Sequence, residues 1–294
     1  MALNTNELIL DRVRSLAAHD LSTGKLLFRL TSLEDPSLSC TAEGEEVVDA
    51  IGSLITTIYR AKKATFSASN SLISLDLAAA QYGTKKTIVD GAKVAAITDY
   101  AYEILTPEAV KTGEGDDAKI TGYQVKLGYD KDGTQKITNI NTDNIKYIYS
   151  VENGQIGTAY EAKAAVSATE CVIAADGTIS LPVTTGTDGA VKPVINGKVY
   201  VEYTYENANA MKVTNRASEF PSACSVVIYA YFKDVCNENT VYSGKIICPK
   251  AKLNPEQVEL ALTSTGKHAF EFQMMKDYCA EEGADELFSI IVSQ

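Results

Sequence analysis

Apolar and polar residues alternate with a period of two along much of the chain, and this period is typical of strands that bury one face. The clearest runs are 123–129, 199–205, 258–262 and 270–274. Within 199–205, Val199 and the other odd-numbered residues are valine or tyrosine, whereas glutamate and threonine occur at even-numbered positions. The pattern predicts several strands with one buried face each.

A second type of segment is apolar without interruption. Ser225–Phe232 is such a run, and it is typical of a strand covered on both faces. Turn sequences such as Asp132-Gly133 and Asn196-Gly197 separate the predicted strands, and these dipeptides supply the positive φ angles of tight hairpins. We therefore predict a mainly β fold, an antiparallel β-sandwich or barrel with long hairpins and one short packed α-helix.

The predicted helix covers 72–82, where apolar residues recur at helical spacing and alanine is frequent. Asn70 or Ser71 is suited to cap its start, and Gly83 to end it. One stripe of this helix comprises Leu72, Leu75, Ala79 and Tyr82. We expect Leu75 to be buried between the helix and the sheet.

Composition divides the chain into a core and a more polar region. Residues 106–198 are rich in Thr, Gly, Asp, Lys and Asn, whereas the flanking segments are more apolar. We predict that 1–105 and 199–294 form a discontinuous β core, and that 106–198 is a polar β-rich region inserted into that core or decorating it.

The charge and the cysteines argue against nucleic-acid binding and zinc binding. The formal net charge of −11 should repel DNA phosphate. No two of the six cysteines form the closely spaced pair that zinc sites usually contain. We therefore expect the cysteines to act as small apolar residues of a reduced intracellular protein. Asp130–Gly133 resembles half of a calcium loop, but Asn139 stands where the closing glutamate is needed.

No motif for catalysis or cofactor binding occurs in the sequence, and its two histidines, His19 and His268, lie near no nucleophile motif. We expect no enzyme activity, no cofactor and no bound metal.

Charged and apolar residues near the predicted hairpin Val47–Ser69 suggest a subunit interface. An acidic run extends from before this hairpin into its first residues, and a basic run follows its turn. The runs are either solvated strand ends or patches that meet between identical subunits. Two apolar residues at the turn either contact a neighbouring subunit or fold back onto their own sheet. The candidate interface residues are Glu45, Glu46, Ile51, Leu54, Arg60, Lys62 and Lys63.

Three segments resemble bacteriophage major tail proteins, also called tail tube proteins. Asp11–Leu30 resembles their opening hairpin, and Ile58–Thr84 resembles a strand that leads into a helix ending in Gln-aromatic-Gly-Thr. Val241–Lys252, followed by the strand ending at Phe270–Phe272, is similar to their late strands. The three segments cover about a quarter of the chain, and 106–198 has no counterpart in the family.

The resemblance implies a virion protein whose β-sandwich or barrel forms stacked rings, commonly hexameric. The stacked rings make a hollow tail tube through which DNA is ejected. The expected partners are further copies of the chain and other tail proteins, with DNA passing through without specific binding and no membrane contact. Assembly would occur in the host cytoplasm.

Two other interpretations remain open at this point. The chain could be another virion or surface β module, such as a capsid decoration protein or an Ig-like adhesin. It could also be an enzyme or a carbohydrate-binding domain, because the faces of its tyrosines can stack on sugars. Alternating tyrosines, however, more often serve core packing and cross-strand pairing.

Overall fold

A computed structural model confirms the mainly β fold with one α-helix. Within the described residues, no helix is long and apolar enough to cross a membrane. The chain divides into two compact units: unit 1 comprises Met1–Thr87 and Val213–Gln294, and unit 2 comprises Ile88–Lys212. The structure describes residues 7–113, 115, 118–235, 240–256, 258–261, 266–278 and 285–293.

The strands and helices follow one another along the chain in a fixed order. The first part contains β1 (Leu8–Asp20), β2 (Leu26–Leu30), β3 (Leu33–Val48), β4 (Leu54–Asn70), α1 (Leu75–Tyr82), β5 (Thr87–Ile88), β6 (Ile97–Leu105), β7 (Glu108–Thr112), β8 (Lys119–Lys126), β9 (Ile140–Asn141) and a 3₁₀ turn (Thr142–Asn144). The second part contains β10 (Tyr147–Glu152), β11 (Gln155–Ala162), β12 (Glu170–Ile173), β13 (Thr178–Leu181), β14 (Val183–Thr185), β15 (Val191–Pro193), β16 (Lys198–Asn207), β17 (Met211–Lys212), β18 (Ala223–Asp234), β19 (Val241–Leu253), β20 (Glu259–Leu260), β21 (His268–Met274) and β22 (Ser289–Ser293).

Unit 1 is built on a nine-stranded antiparallel sheet in the order β2-β1-β18-β19-β21-β4-β3, with β20 beside β21 and β22 beside β19. Its core lies on one face of the sheet, where Leu16, Phe66, Ile228 and Phe272 are buried. Alternate residues of β18 are buried and the intervening ones are mostly half-buried. One face of β18 is therefore buried as predicted, whereas the other face is only partly covered.

The helix α1 is shorter than predicted, because it begins at Leu75 rather than near residue 72. The Asn70 side chain donates to the Leu72 carbonyl, and the Ser74 hydroxyl accepts from the Leu77 backbone N–H and caps the first turn. Gly83 ends the helix at a φ of 72°, a left-handed conformation that glycine adopts without strain.

This later start changes which face of the helix packs on the sheet. Leu75 is 40% exposed, so the prediction that it is buried is wrong, and Leu77 is buried completely instead. Leu72 lies outside the helix and is exposed, so the predicted stripe through it does not exist. Leu77 packs into the core of unit 1, and Ala78, Ala79 and Gln81 are also buried.

A buried hydrogen-bond network attaches α1 to β21. His268 Nε2 lies 2.6 Å from Gln81 Oε1, and Gln81 Nε2 donates to the Ala269 carbonyl over 2.9 Å. The Ser74 backbone N–H donates to His268 Nδ1 over 3.4 Å, so the neutral ring with its proton on Nε2 satisfies every contact. Burial lowers the pKa of His268 below its ordinary value.

Unit 2 contains a second nine-stranded sheet, in the order β6-β16-β10-β11-β12-β13-β8-β7 with β9 beside β16. The pair β11–β12 is parallel and the other pairs of this sheet are antiparallel. Val125, Ile148, Ile179 and Val201 are among its buried core residues.

The boundaries of unit 2 differ from the predicted limits of 106–198. The strands β6 and β16 flank the predicted region and pair with each other from Val199–Leu105 to Asn207–Ile97. Because these two strands carry part of the same core, both belong to unit 2, whose limits are Ile88 and Lys212.

Candidate functional site

The hairpin formed by β3 and β4 extends beyond the sheet of unit 1. Next to β4, the strand β21 pairs only with Ala64–Asn70. In the part of the chain that the structure describes, no third strand pairs with residues 41–63, which we call the hairpin arm. The eight β3 residues of the arm, 41–48, span roughly 25 Å at about 3.3 Å per residue.

The turn of the arm is held by Asp49. Its Oδ1 accepts from the backbone N–H of Ile51 over 3.0 Å and from that of Ser53 over 2.7 Å. The Asp49 N–H donates to the Ser53 carbonyl, and Gly52 takes the positive φ of 86° that this turn requires. Asp49 is therefore a turn-forming residue, and its turn holds the Ile51 side chain in solvent.

The two candidate apolar residues of the tip lie in solvent. Ile51 is 88% exposed and Leu54 is 58% exposed, so the alternative in which they fold back onto their own sheet does not describe the structure. Further large side chains of the arm are exposed on both faces of the ribbon. They are Val47, Val48, Ile55, Ile58 and Tyr59.

The acidic and basic runs meet within one chain. Arg60 pairs with Glu45 at 3.4 Å and Lys63 with Glu43 at 3.0 Å, so both ion pairs cross the two strands of the arm. All four side chains are largely exposed, and ion pairs of this kind stabilise little.

The other two charged candidates lie at different heights on the arm. Glu46 is opposite Thr57 near the tip. Lys62 lies at the base and lines a depression of about 520 Å³ together with Met274 and Phe288. The seven predicted interface residues thus share one hairpin, and the two apolar ones are at its tip.

Tyr59 is 72% exposed and was not among the predicted interface residues. Its ring covers Gly44 on the opposite strand, since a Cβ atom at Gly44 would lie 3.3 Å from Tyr59 Cε1. The run Ile55–Tyr59 was the signal for these residues, but its apolar and polar residues do not alternate strictly, so the run indicates only a strand. It does not show that both faces of this ribbon are exposed.

The structure gives the other chemical candidates structural roles. Cys171, Cys224 and Cys248 are buried and free, and burial raises the pKa of each thiol to about 12. Cys40 is exposed, and Cys236 and Cys279 lie outside the described residues.

Metal ligation finds no support in the described part of the chain. Within the described ranges, no group of three or more His, Cys, Asp and Glu side chains could hold a metal ion. The Asp130 carboxylate accepts from the backbone N–H groups of Asp132 and Thr134, so it closes a turn.

No protein-family model matches this chain, and no curated protein matches it. Function is therefore inferred from the residues and their geometry.

Proposed function

We propose that this protein is a bacteriophage virion protein that self-assembles into stacked rings, expected to be hexameric, which form the tail tube for DNA ejection. The observation that carries this proposal is the hairpin arm, whose two strands expose large apolar side chains on both faces. The resemblance of three sequence segments to tail tube proteins supports the same function.

The arm is poorly suited to remain free in water. An isolated two-stranded ribbon is marginally stable at best, because it lacks a further layer on which to bury its apolar side chains. Exposed apolar patches of this kind mark protein interaction sites. An adjacent copy of the subunit provides such a layer, and a head-to-tail contact between identical subunits repeats until a ring closes.

The contribution of the tip can be estimated from its exposure. Ile51 and Leu54 are 88% and 58% exposed, so most of their side-chain area is available for burial by a neighbouring subunit. Full burial of one such side chain contributes about 1.5–3 kcal/mol. Since every subunit of a tube repeats the contact, this small pair can decide whether the protein polymerises.

The charge of the chain is compatible with a DNA conduit. A formal net charge of −11 disfavours phosphate binding, and strong binding would slow the passage of DNA. Within this proposal, subunits contact one another and other tail proteins, whereas DNA only passes through the assembly.

Electron microscopy and light scattering of the purified full-length protein test this function. We expect rings or tubes from the wild type, and folded protein without tubes from the double variant Ile51→Ser, Leu54→Ser. The matched control is Leu72→Ser, Ile73→Ser, which removes two apolar residues that are 63% and 51% exposed outside the arm. Circular dichroism reports whether each variant keeps its β structure.

Three results would contradict the proposal. A wild type that stays monomeric at all concentrations would favour a surface or decoration module. Tubes formed equally well by the arm variant would show that the tip is not an interface. A control variant that loses assembly to the same extent would show that any loss of surface apolarity is sufficient.

A further inference from the structure

A second exposed surface, unrelated to the arm, lies on the solvent side of the sheet in unit 2. On β6, Tyr100 is 82% exposed and Tyr102 is 67% exposed, while the alternate residues point towards the core side. Tyr147 on β10 is 49% exposed, and Tyr149 and Tyr200 are half-buried beside it. We call these five residues the tyrosine face.

The strand register arranges these rings side by side. Tyr102 is paired with Glu202 across β6 and β16, and Tyr149 with Tyr200 across β10 and β16. The ring centroids of Tyr102 and Tyr200 are 5.8 Å apart, and those of Tyr149 and Tyr200 are 6.3 Å apart. The rings of Tyr102, Tyr200 and Tyr149 therefore form one aromatic row over three strands.

A depression of about 410 Å³ lies at the Tyr100–Tyr102 end of this surface. Its volume falls within the roughly 300–1,000 Å³ of typical small-ligand sites. Polar side chains from two neighbouring elements also line it: Asn144, Glu202 and Thr204. The Asn144 Nδ2 group donates to Thr204 Oγ1 over 3.2 Å, and the Tyr200 hydroxyl donates to Glu202.

These groups determine which ligand chemistry fits. Among the described residues that line the depression, Glu202 is the only charged one, and no lysine or arginine is present to attract phosphate or sulfate. The carboxylate and the Asn144 amide oxygen accept hydrogen bonds, while hydroxyl groups both donate and accept. A hydroxyl-rich neutral ligand is complementary to this set, and an anionic ligand is not.

The aromatic rings add a second requirement. The face of a tyrosine ring is negative, so it attracts the weakly positive C–H groups on the flat side of a sugar ring. We propose that the tyrosine face binds a neutral saccharide, with Tyr100 and Tyr102 stacking on sugar rings and Glu202 and Asn144 accepting from sugar hydroxyls. This inference concerns unit 2 alone and does not depend on tube formation.

Isothermal titration calorimetry of the full-length protein with cellohexaose, maltohexaose and mannohexaose tests this site. We expect heat of binding with at least one of the three, and at least a tenfold loss of affinity in Tyr102→Ala and in Glu202→Gln. The matched control Tyr278→Ala removes a tyrosine of unit 1 that is also 82% exposed, and it should bind like the wild type. Circular dichroism checks the fold of each variant.

The outcomes separate this site from the proposed assembly function. Unchanged saccharide binding in the Ile51→Ser, Leu54→Ser variant would support a site independent of the arm. The inference is overturned if none of the three oligosaccharides binds, or if binding survives unchanged in both Tyr102→Ala and Glu202→Gln. Stronger binding of hexalysine than of any oligosaccharide, lost in Glu202→Gln, would overturn it in favour of a cationic peptide partner.

Discussion

Acidification should weaken the attachment of α1 to β21 through a single histidine. His268 is 1% exposed, and its two ring nitrogens contact Gln81 and the Ser74 backbone N–H. Protonation of Nδ1 would place a second donor opposite the Ser74 donor and would leave a charged ring buried. The folded protein therefore favours the neutral ring, and the pKa of His268 lies below its ordinary value of 6.5.

The sign of the effect follows from this shift. When α1 detaches, His268 becomes exposed and takes up a proton near pH 6.5, whereas in the closed state it remains neutral to lower pH. The attachment is at full strength above that pH and weakens as the pH falls towards the pKa of the folded state. The loss is at most about 1.4 kcal/mol, or tenfold in the opening equilibrium, per pH unit.

Hydrogen exchange followed by mass spectrometry measures this opening in peptides that contain α1. After correction for the intrinsic exchange rate, protection of α1 should fall between pH 7.5 and 5.5 in the wild type, by at most about tenfold. In His268→Gln, which keeps a donor for Gln81 but does not titrate, it should change little. Peptides from β10 of unit 2 provide an internal control.

The titration of groups other than His268 should change α1 protection equally in the wild type and in His268→Gln. The Ser22 and Thr23 hydroxyls and backbone N–H groups hold the pKa of Asp20 at about 2, so its contribution is lost only in stronger acid and is the same in both proteins. An equal loss of α1 protection in the wild type and in His268→Gln would refute the role of this histidine.

Two further predictions concern the packing of unit 1. Leu77→Ala should lower the free energy of unfolding of unit 1 by about 2–5 kcal/mol, and Leu75→Ala should lower it by less than about 1 kcal/mol. Urea titration of the whole protein measures both changes, and equal losses would contradict the packing face of α1. Gly83→Ala should lower Tm more than Gly24→Ala, because both glycines have positive φ but only a Cβ at Gly83 would lie 2.1 Å from the Phe220 carbonyl oxygen. Equal shifts in Tm would show that the loop at Phe220 moves freely.

Local features of this fold could be predicted from the sequence. The strands and tight turns follow from a period of two interrupted by residues such as Gly133 and Gly197, and both signals lie within a few neighbouring residues. The turn of the arm was predictable as well, but the predicted hairpin Val47–Ser69 left out most of its first strand, β3. The charge runs were expected to be solvated strand ends or patches that meet between subunits, whereas two ion pairs join them across the two strands of one ribbon.

Features that depend on competing or distant contacts could not be predicted. Asn70, Ser71 and Ser74 are all suitable caps, and only the bond from Asn70 to the Leu72 carbonyl shows why the helix starts late. The limits of unit 2 depend on the pairing of β6 with β16, which are distant in sequence. Alternation likewise placed the tyrosines of 199–205 on a strand, but the exposed Tyr100 and Tyr102 of β6 lie outside the clearest alternating runs.

The discontinuity of unit 1 has a consequence for the timing of synthesis. In the sheet of unit 1, β1 pairs with β18, so that Leu8 lies opposite Asp234. A ribosome adding about 5–20 residues per second needs roughly 6–25 s to make residues 88–212. During that interval the residues of β3 and β4 have been synthesised, whereas those of β18, β19 and β21, which complete their sheet, have not.

Unit 2 is continuous in sequence and can close during this interval, whereas unit 1 must wait until the strands after residue 213 have been made. A chain that terminates before residue 213 therefore carries the arm without the sheet that supports it. If the arm joins subunits as proposed, prematurely ended chains carry the arm but lack the complete sheet of unit 1 that a ring would incorporate. Completion of translation then becomes a checkpoint for assembly.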